Sequence, residues 1–188
     1  MGFSEAGEPV HLSALARVTF KRPDFMTKKD FLKKVAHQLE DEGFTIVKKD
    51  ESRPWGGFFV IDEAQASRFI ETYFPGVPLS DFEGFERLSP KFLIVAPGKR
   101  LSWQYHHRRS EIWRLLEGVA GVATSPTDEQ GDVRPLAIGD LVRLECGERH
   151  RLVGLDGWGV LAEIWQHTDP DHPSDEDDIV RVQDDFGR

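Results

Sequence analysis

Apolar and polar positions follow two different periods along the chain. In TKKDFLKKVAHQLEDE (27–42), Phe31, Leu32, Val35 and Leu39 recur at helical spacing. Thr27 stands at the N-cap with Asp30 three residues on, and Gly43 falls at the C′ position. FTIVKK then reads as a strand, and RPWGGFFVID as a turn followed by a strand. EAQASRFIETYF (63–74) predicts a second helix, stopped by Pro75-Gly76. From Lys91 the texture changes to short β-rich stretches: KFLIVA, LSWQY, EIWRLLEG, GVAGVA, LVRLE, HRLVG and GVLAEIWQ. The turn signals PG, EG, SPTDEQGD, IGD, CGE and LDGWG separate them, which predicts a small antiparallel sandwich or barrel and not βαβ units. Residues 1–26 show no strong period. The expectation is a mainly β protein, with a helical N-terminal extension (1–52) packed on a barrel domain (53–188).

Strand alternation gives one stretch a chemical meaning. If LSWQYHH is a strand, Gln104 and His106 project from one face, with Tyr105 on the other. Glu111 opens the next strand, and His150 follows the tight turn CGE in a later strand pair. A single histidine on a strand is ordinarily a surface or hydrogen-bonded core residue. Four donors at this spacing, converging in a barrel, form an N/O set for one divalent ion, best suited to Zn²⁺, with Mn²⁺, Fe²⁺ and Co²⁺ as alternatives.

Composition narrows the partners. With 24 Lys and Arg against 33 Asp and Glu, the net charge is −9, which argues against nucleic acid and anionic membranes. The excess acid is concentrated in DPDHPSDEDDIVRVQDD, while 99–114 is basic, a distribution suited to a small anionic ligand. There is no apolar run long enough to cross a membrane, and MGFSEAGEPVHLSAL has neither the basic nor the apolar region of a signal peptide. Cys146 is the single cysteine, so an internal disulfide is excluded and a reducing cytoplasm is the expected compartment.

The two histidine stretches resemble the two motifs of the cupin superfamily. The first, G-x5-H-x-H-x4-E-x6-G, is matched by Gly98, Gln104 in place of the first His, His106, Glu111 and Gly118. The second, G-x5-P-x-G-x2-H-x3-N, is matched by Gly139, Gly147 and His150, with Glu145 for the Pro and Gly154 for the Asn. More finely, RPWGG, PKFLIVAPG, LSWQYHHRRSEIW, GERHRLVG and EDDIVRVQDDFGR resemble the type II mannose-6-phosphate isomerases. That domain also forms the C-terminal part of bifunctional mannose-1-phosphate guanylyltransferases. The resemblance covers about 53–188 and does not extend to a guanylyltransferase half. The Gln for the first His is a feature of that family. Arg108 replaces its third His, and Ile112 the His that follows Glu111.

The resemblance implies a cupin barrel, metal-dependent aldose–ketose isomerisation, and mannose-6-phosphate to fructose-6-phosphate as the reaction. Gln104, His106, Glu111 and His150 would hold the metal. Glu163, in VLAEIWQ, is the candidate base, because Glu111 is already a ligand. Lys91 and Arg109 are further catalytic candidates, and Arg53, Arg100 and Arg181 are candidates for the substrate phosphate. The tryptophans are expected as core and barrel wall. His107, Arg108, His167 and His172 are expected to be solvated or to support the site from outside. A homodimer is expected from the barrel type. Three other readings stay open: a non-catalytic sugar- or sugar-phosphate-binding cupin, an isomerase of an unphosphorylated aldose, and a metal-dependent oxygenase, which the Gln-His-Glu-His set disfavours.

Overall fold

The computed structural model describes residues 26–187. The first 25 residues of the expected N-terminal extension lie outside the described residues. Helix α1 (Lys28–Asp41) forms where its spacing predicts, burying Phe31, Leu32, Val35 and Leu39. The Thr27 hydroxyl accepts the Asp30 amide at the N-cap. At the other end the Phe44 amide donates to Leu39 O and the Gly43 amide to Glu40 O. This Schellman arrangement uses the positive φ of Gly43, +78°. The second helical segment opens as a 3-10 turn (Glu63–Gln65), capped by Asp62, before α2 (Ala66–Tyr73).

Nine strands among the described residues form one antiparallel, strongly curled sheet. They are β1 (Ile46–Asp50), β2 (Gly56–Ile61), β3 (Lys91–Val95), β4 (Trp103–His106), β5 (Arg109–Ser125), β6 (Arg134–Leu136), β7 (Leu141–Leu144), β8 (Arg149–His167) and β9 (Ile179–Gln183). The order β1-β2-β3-β8-β4-β9 is completed by β5, which pairs with β6, β7 and β8. Strand β1 falls within residues 1–52, yet it is hydrogen-bonded to β2 as part of this sheet.

The long strands β5 and β8 pair from Arg109↔His167 to Ser125↔Arg149 and wrap the barrel. Two register shifts, at Leu115/Glu117 and Gly118/Ala120, bend this ladder. Gly118 sits at the bend with φ +77°, and a Cβ there would lie 1.9 Å from Trp158 O, so only glycine fits.

Period-2 alternation sorts the side chains into two cores. One face of β2, β3, β5 and β8 sends Phe59, Ile61, Phe92, Ile94, Ile112, Ala162 and Ile164 outward against both helices, where Phe69 and Phe74 complete the cluster. The other sends Phe58, Leu93, Val95, Trp113, Leu115 and Leu161 into the barrel, against Val122, Val142, Leu144 and Leu152. At one end of the barrel this inner face turns polar.

Candidate metal centre and its cavity

Strand register assembles the polar end. Lys91, Glu163 and Trp113 lie in one row across β3, β8 and β5. Trp165 and Glu111 form the next row on the same face, and His167 and Arg109 the one after. From the other side, Gln104 pairs directly with His150 across β4 and β8 and with Arg181 across β4 and β9. The two motif turns are tied together where the Gly147 amide donates to His106 O at 2.7 Å. Gly147 has φ +79°, the turn conformation that aims His150 inward.

His106, Glu111 and His150 are all buried, and one ligand atom from each lies within 4.8 Å of the others. His106 Nε2 is 3.2 Å from Glu111 Oε1, and His150 Nε2 is 3.5 Å from Glu111 Oε2. A tetrahedral ion with bonds of 2.0–2.1 Å separates its donors by about 3.4 Å, so both spacings suit metal ligation. His150 Nδ1 is 2.9 Å from Glu148 O and donates to it, which leaves Nε2 as the unprotonated nitrogen. That Nε2 is buried and has no hydrogen-bond partner among the described residues. Burial pushes the His150 imidazole down to about 4, so the ring stays neutral and able to ligate near pH 7. Gln104 lines the same cavity, its Oε1 accepting from Ser102 Oγ at 2.6 Å.

Burial alone would raise the Glu111 carboxyl, but the Arg109 guanidinium beside it holds it well below the usual carboxylate range. The Arg109 guanidinium, itself buried, donates through Nε to Glu111 Oε1 at 2.6 Å and through Nη2 to His106 Nε2 at 2.9 Å. Its Nη1 donates to Ser174 Oγ at 2.7 Å, and its plane lies 3.5 Å from the Trp165 ring centroid. The Trp113 indole N–H is shared between Glu111 Oε2 and Glu163 Oε1, 3.0 Å from each. Burial, and then the neighbouring Glu111 charge, push Glu163 up to about 7. Burial pulls the Lys91 ammonium down to about 8, against the opposing charge of Glu163 at 3.7 Å.

The cavity over this cluster holds about 70 Å³ and is lined by four cationic side chains, Arg53, Lys91, Arg109 and Arg181, and three carboxylates, Glu111, Glu163 and Glu176. Of the ten residues expected at the site, nine converge here. The exception is Arg100, whose guanidinium pairs with Asp185 at 2.6 and 3.0 Å on the barrel exterior. It faces away because its neighbour across the sheet is Val153, which alternates along β8 with the inward-facing Leu152. The expectation that Arg100 meets the substrate phosphate is corrected accordingly.

Other residues at the site were not anticipated from sequence. Trp113 and Trp165 do form the wall, but each also makes polar or cation–π contacts to catalytic candidates. His167 takes the supporting position of the two expected for it: it is buried, bonded to Ser89 Oγ and accepting the Ser174 amide. Asp178 accepts the His107 and Arg108 amides and the Ser174 hydroxyl, locking the C-terminal segment over the turn that follows His106. The signal was present in the alternation of β8, where Glu163, Trp165 and His167 share a face. The two family departures lie off the cavity. Arg108 reaches outward to Asp175 and Asp178, and Ile112 is buried beneath the helices on the opposite face of β5.

A curled antiparallel barrel with two histidines and a glutamate converging inside one end defines a cupin. A family model described as mannose-6-phosphate isomerase C-terminal matches residues 40–184, and the chain belongs to that family. It is 27% identical over 164 residues to the mannose-1-phosphate guanylyltransferase of Escherichia coli (strain K12), covering 84% of this chain and 27% of that protein. It is 30% identical over 123 residues to the mannose-1-phosphate guanylyltransferase ManC of Salmonella typhimurium, covering 63% and 23%. The chain thus spans about a quarter of the length of these curated relatives. Among solved structures, a cupin 2 conserved barrel domain protein from Salinispora arenicola CNS-205 is 30% identical, with a TM-score of 0.36, covering 42% of this chain and 61% of that one. The capsular polysaccharide assembling protein CapF from Staphylococcus aureus is 14% identical, with a TM-score of 0.47, covering 74% and 34%. No described helix is long and apolar enough to cross a membrane.

Proposed function

We propose that this chain is a metal-dependent aldose–ketose isomerase acting on a sugar phosphate, with mannose-6-phosphate to fructose-6-phosphate as its reaction. The observation that carries the reading is the side-by-side placement of two carboxylates with opposite tuning. Glu111 is held ionised among the two histidines, while Glu163, joined to it through the Trp113 N–H, titrates near neutrality. Membership of the isomerase-type family supports the same reading.

Zn²⁺ or a similar divalent ion would be held by His106, Glu111 and His150, with Gln104 beside them, and would supply Lewis acidity towards the sugar carbonyl. Glu163 is the base that takes the proton from C2 of the open-chain aldose and returns it at C1, while the O2 hydroxyl gives up its proton and O1 gains one. A carboxylate titrating at about 7 suits this role, since it can accept and release a proton at the same pH. Lys91, packed on the Trp165 ring at 2.8 Å from its centroid, sets the charge around Glu163. Arg53 and Arg181 are proposed as the phosphate contacts. Asp50 lies 2.8 Å from Arg53, whereas the carboxylate paired with Arg181 among the described residues, Glu176, lies 3.8 Å away, so Arg181 is the freer of the two.

Turnover of mannose-6-phosphate, read by enzymatic detection of fructose-6-phosphate, tests the reading in wild type and Glu163→Gln. Turnover in wild type with a loss of about 10²-fold or more in the variant is expected. Equal rates would remove Glu163 from the chemistry. Turnover of free mannose but not its phosphate would keep an isomerase and discard the phosphate contacts.

A further inference from the structure

The donor atoms suited to a metal are already engaged by a cation belonging to the protein. Arg109 Nε and Nη2 point at Glu111 Oε1 and His106 Nε2. These are the lone pairs that define one donor edge of the proposed site, at 3.2 Å. A guanidinium N–H and a metal ion cannot share one imidazole lone pair. His150 Nε2, by contrast, carries no hydrogen bond among the described residues.

We infer that Arg109 is an internal competitor for the metal: ion binding displaces its Nε and Nη2 from Glu111 and His106 and turns that edge of the guanidinium towards the cavity. This rests on the metal-site reading above. The displacement is a swing of the guanidinium in its own plane about Nη1, which carries Cδ and the aliphatic stem with it. Nη1 keeps its bond to Ser174 Oγ at 2.7 Å, and the plane keeps its stacking on Trp165. Ser174 is in turn fixed by Asp178, which accepts its hydroxyl at 2.6 Å and anchors the turn after His106. The network therefore provides a pivot. Two charge-assisted N–H donors leave the ligands and become available to an anionic oxygen of the substrate, so Arg109 offers these two donors to the cavity only when the ion is in place. Metal affinity is lowered in return, because each ion must replace two strong hydrogen bonds and then sit beside a fixed positive charge.

Zn²⁺ affinity, measured on metal-stripped protein by competition with a chromophoric chelator, tests this in wild type, Arg109→Met and Arg109→Lys. Arg109→Met is expected to bind about tenfold tighter or more, with Arg109→Lys between the two, since lysine keeps the charge but loses the two-pronged contact. Equal or weaker binding by Arg109→Met while wild type binds would overturn the inference and leave the metal site standing. Binding by neither would overturn both. Should the methionine variant fail to fold, the wild-type Arg109 Nε–H resonance, identified by its loss in Arg109→Lys, reports the same event. It should shift on Zn²⁺ saturation, and an unmoved resonance at full occupancy would overturn the inference.

Discussion

Replacing Glu111 by Gln removes one charge from the buried cluster and leaves its shape. In the metal-free protein Arg109 would then remain buried with no carboxylate hydrogen-bonded to it, held by the His106 ring nitrogen, the Ser174 hydroxyl and the Trp165 face. Breaking a buried pair by removing one partner costs about 3–5 kcal/mol, because the surviving charge stays desolvated. For a chain of this size each kcal/mol moves the midpoint by about 2–4 °C, so Tm should fall by roughly 6–20 °C. Thermal unfolding followed by circular dichroism in excess chelator measures it. The double variant Glu111→Gln/Arg109→Met strands neither charge and should recover at least half of the loss. A coupling of about 2 kcal/mol or more is therefore expected from the cycle. A Glu111→Gln variant within about 1 kcal/mol of wild type, or strict additivity in the cycle, would refute a cluster organised around that ion pair.

Three further outcomes follow from the same geometry. The metal-free protein should lose stability as pH falls from about 6.5 towards about 4. His150 and His167 are both held down to about 4 by burial, so over that window the unfolded chain binds the extra protons; chelator-treated His167→Asn should show a shallower decline in Tm. Trp113→Phe removes the N–H shared by Glu111 and Glu163 and leaves a small cavity where the second ring was, and should cost about 1–3 kcal/mol in denaturant unfolding together with a drop in kcat; a fully active and equally stable variant would make Trp113 mere wall. Arg100→Ala should change kcat/KM for the phosphosugar by less than about twofold and stability by less than about 1 kcal/mol, since its ion pair with Asp185 is solvent-accessible and Arg100 does not line the cavity.

Much of this architecture is legible in local sequence, because the signals are themselves local. The helix over 28–41 has a cap, an apolar stripe and a terminating glycine in one short stretch. The Gln104–His106 pair shares a face by strand alternation alone, and His150 is aimed by the turn at Gly147. What sequence could not supply was register between distant strands. The rows that set Trp113 beside Glu163, and Trp165 beside Glu111, depend on pairing between β5 and β8, some fifty residues apart. Arg100 was misplaced for a related reason. Its basic neighbourhood suggested the substrate, yet only the fold shows that the strand edge turns it towards Asp185. The reverse holds at Ile112, which neighbours Glu111 in sequence but belongs to the core beneath the helices.

Metal content of purified wild type, His106→Ala and His150→Ala, with mannose-6-phosphate turnover run on the same samples, tests the central claim most directly. The account predicts close to one equivalent of divalent metal in wild type, and loss of both metal and turnover in the two variants. A well-folded wild type that takes up no divalent ion would contradict it.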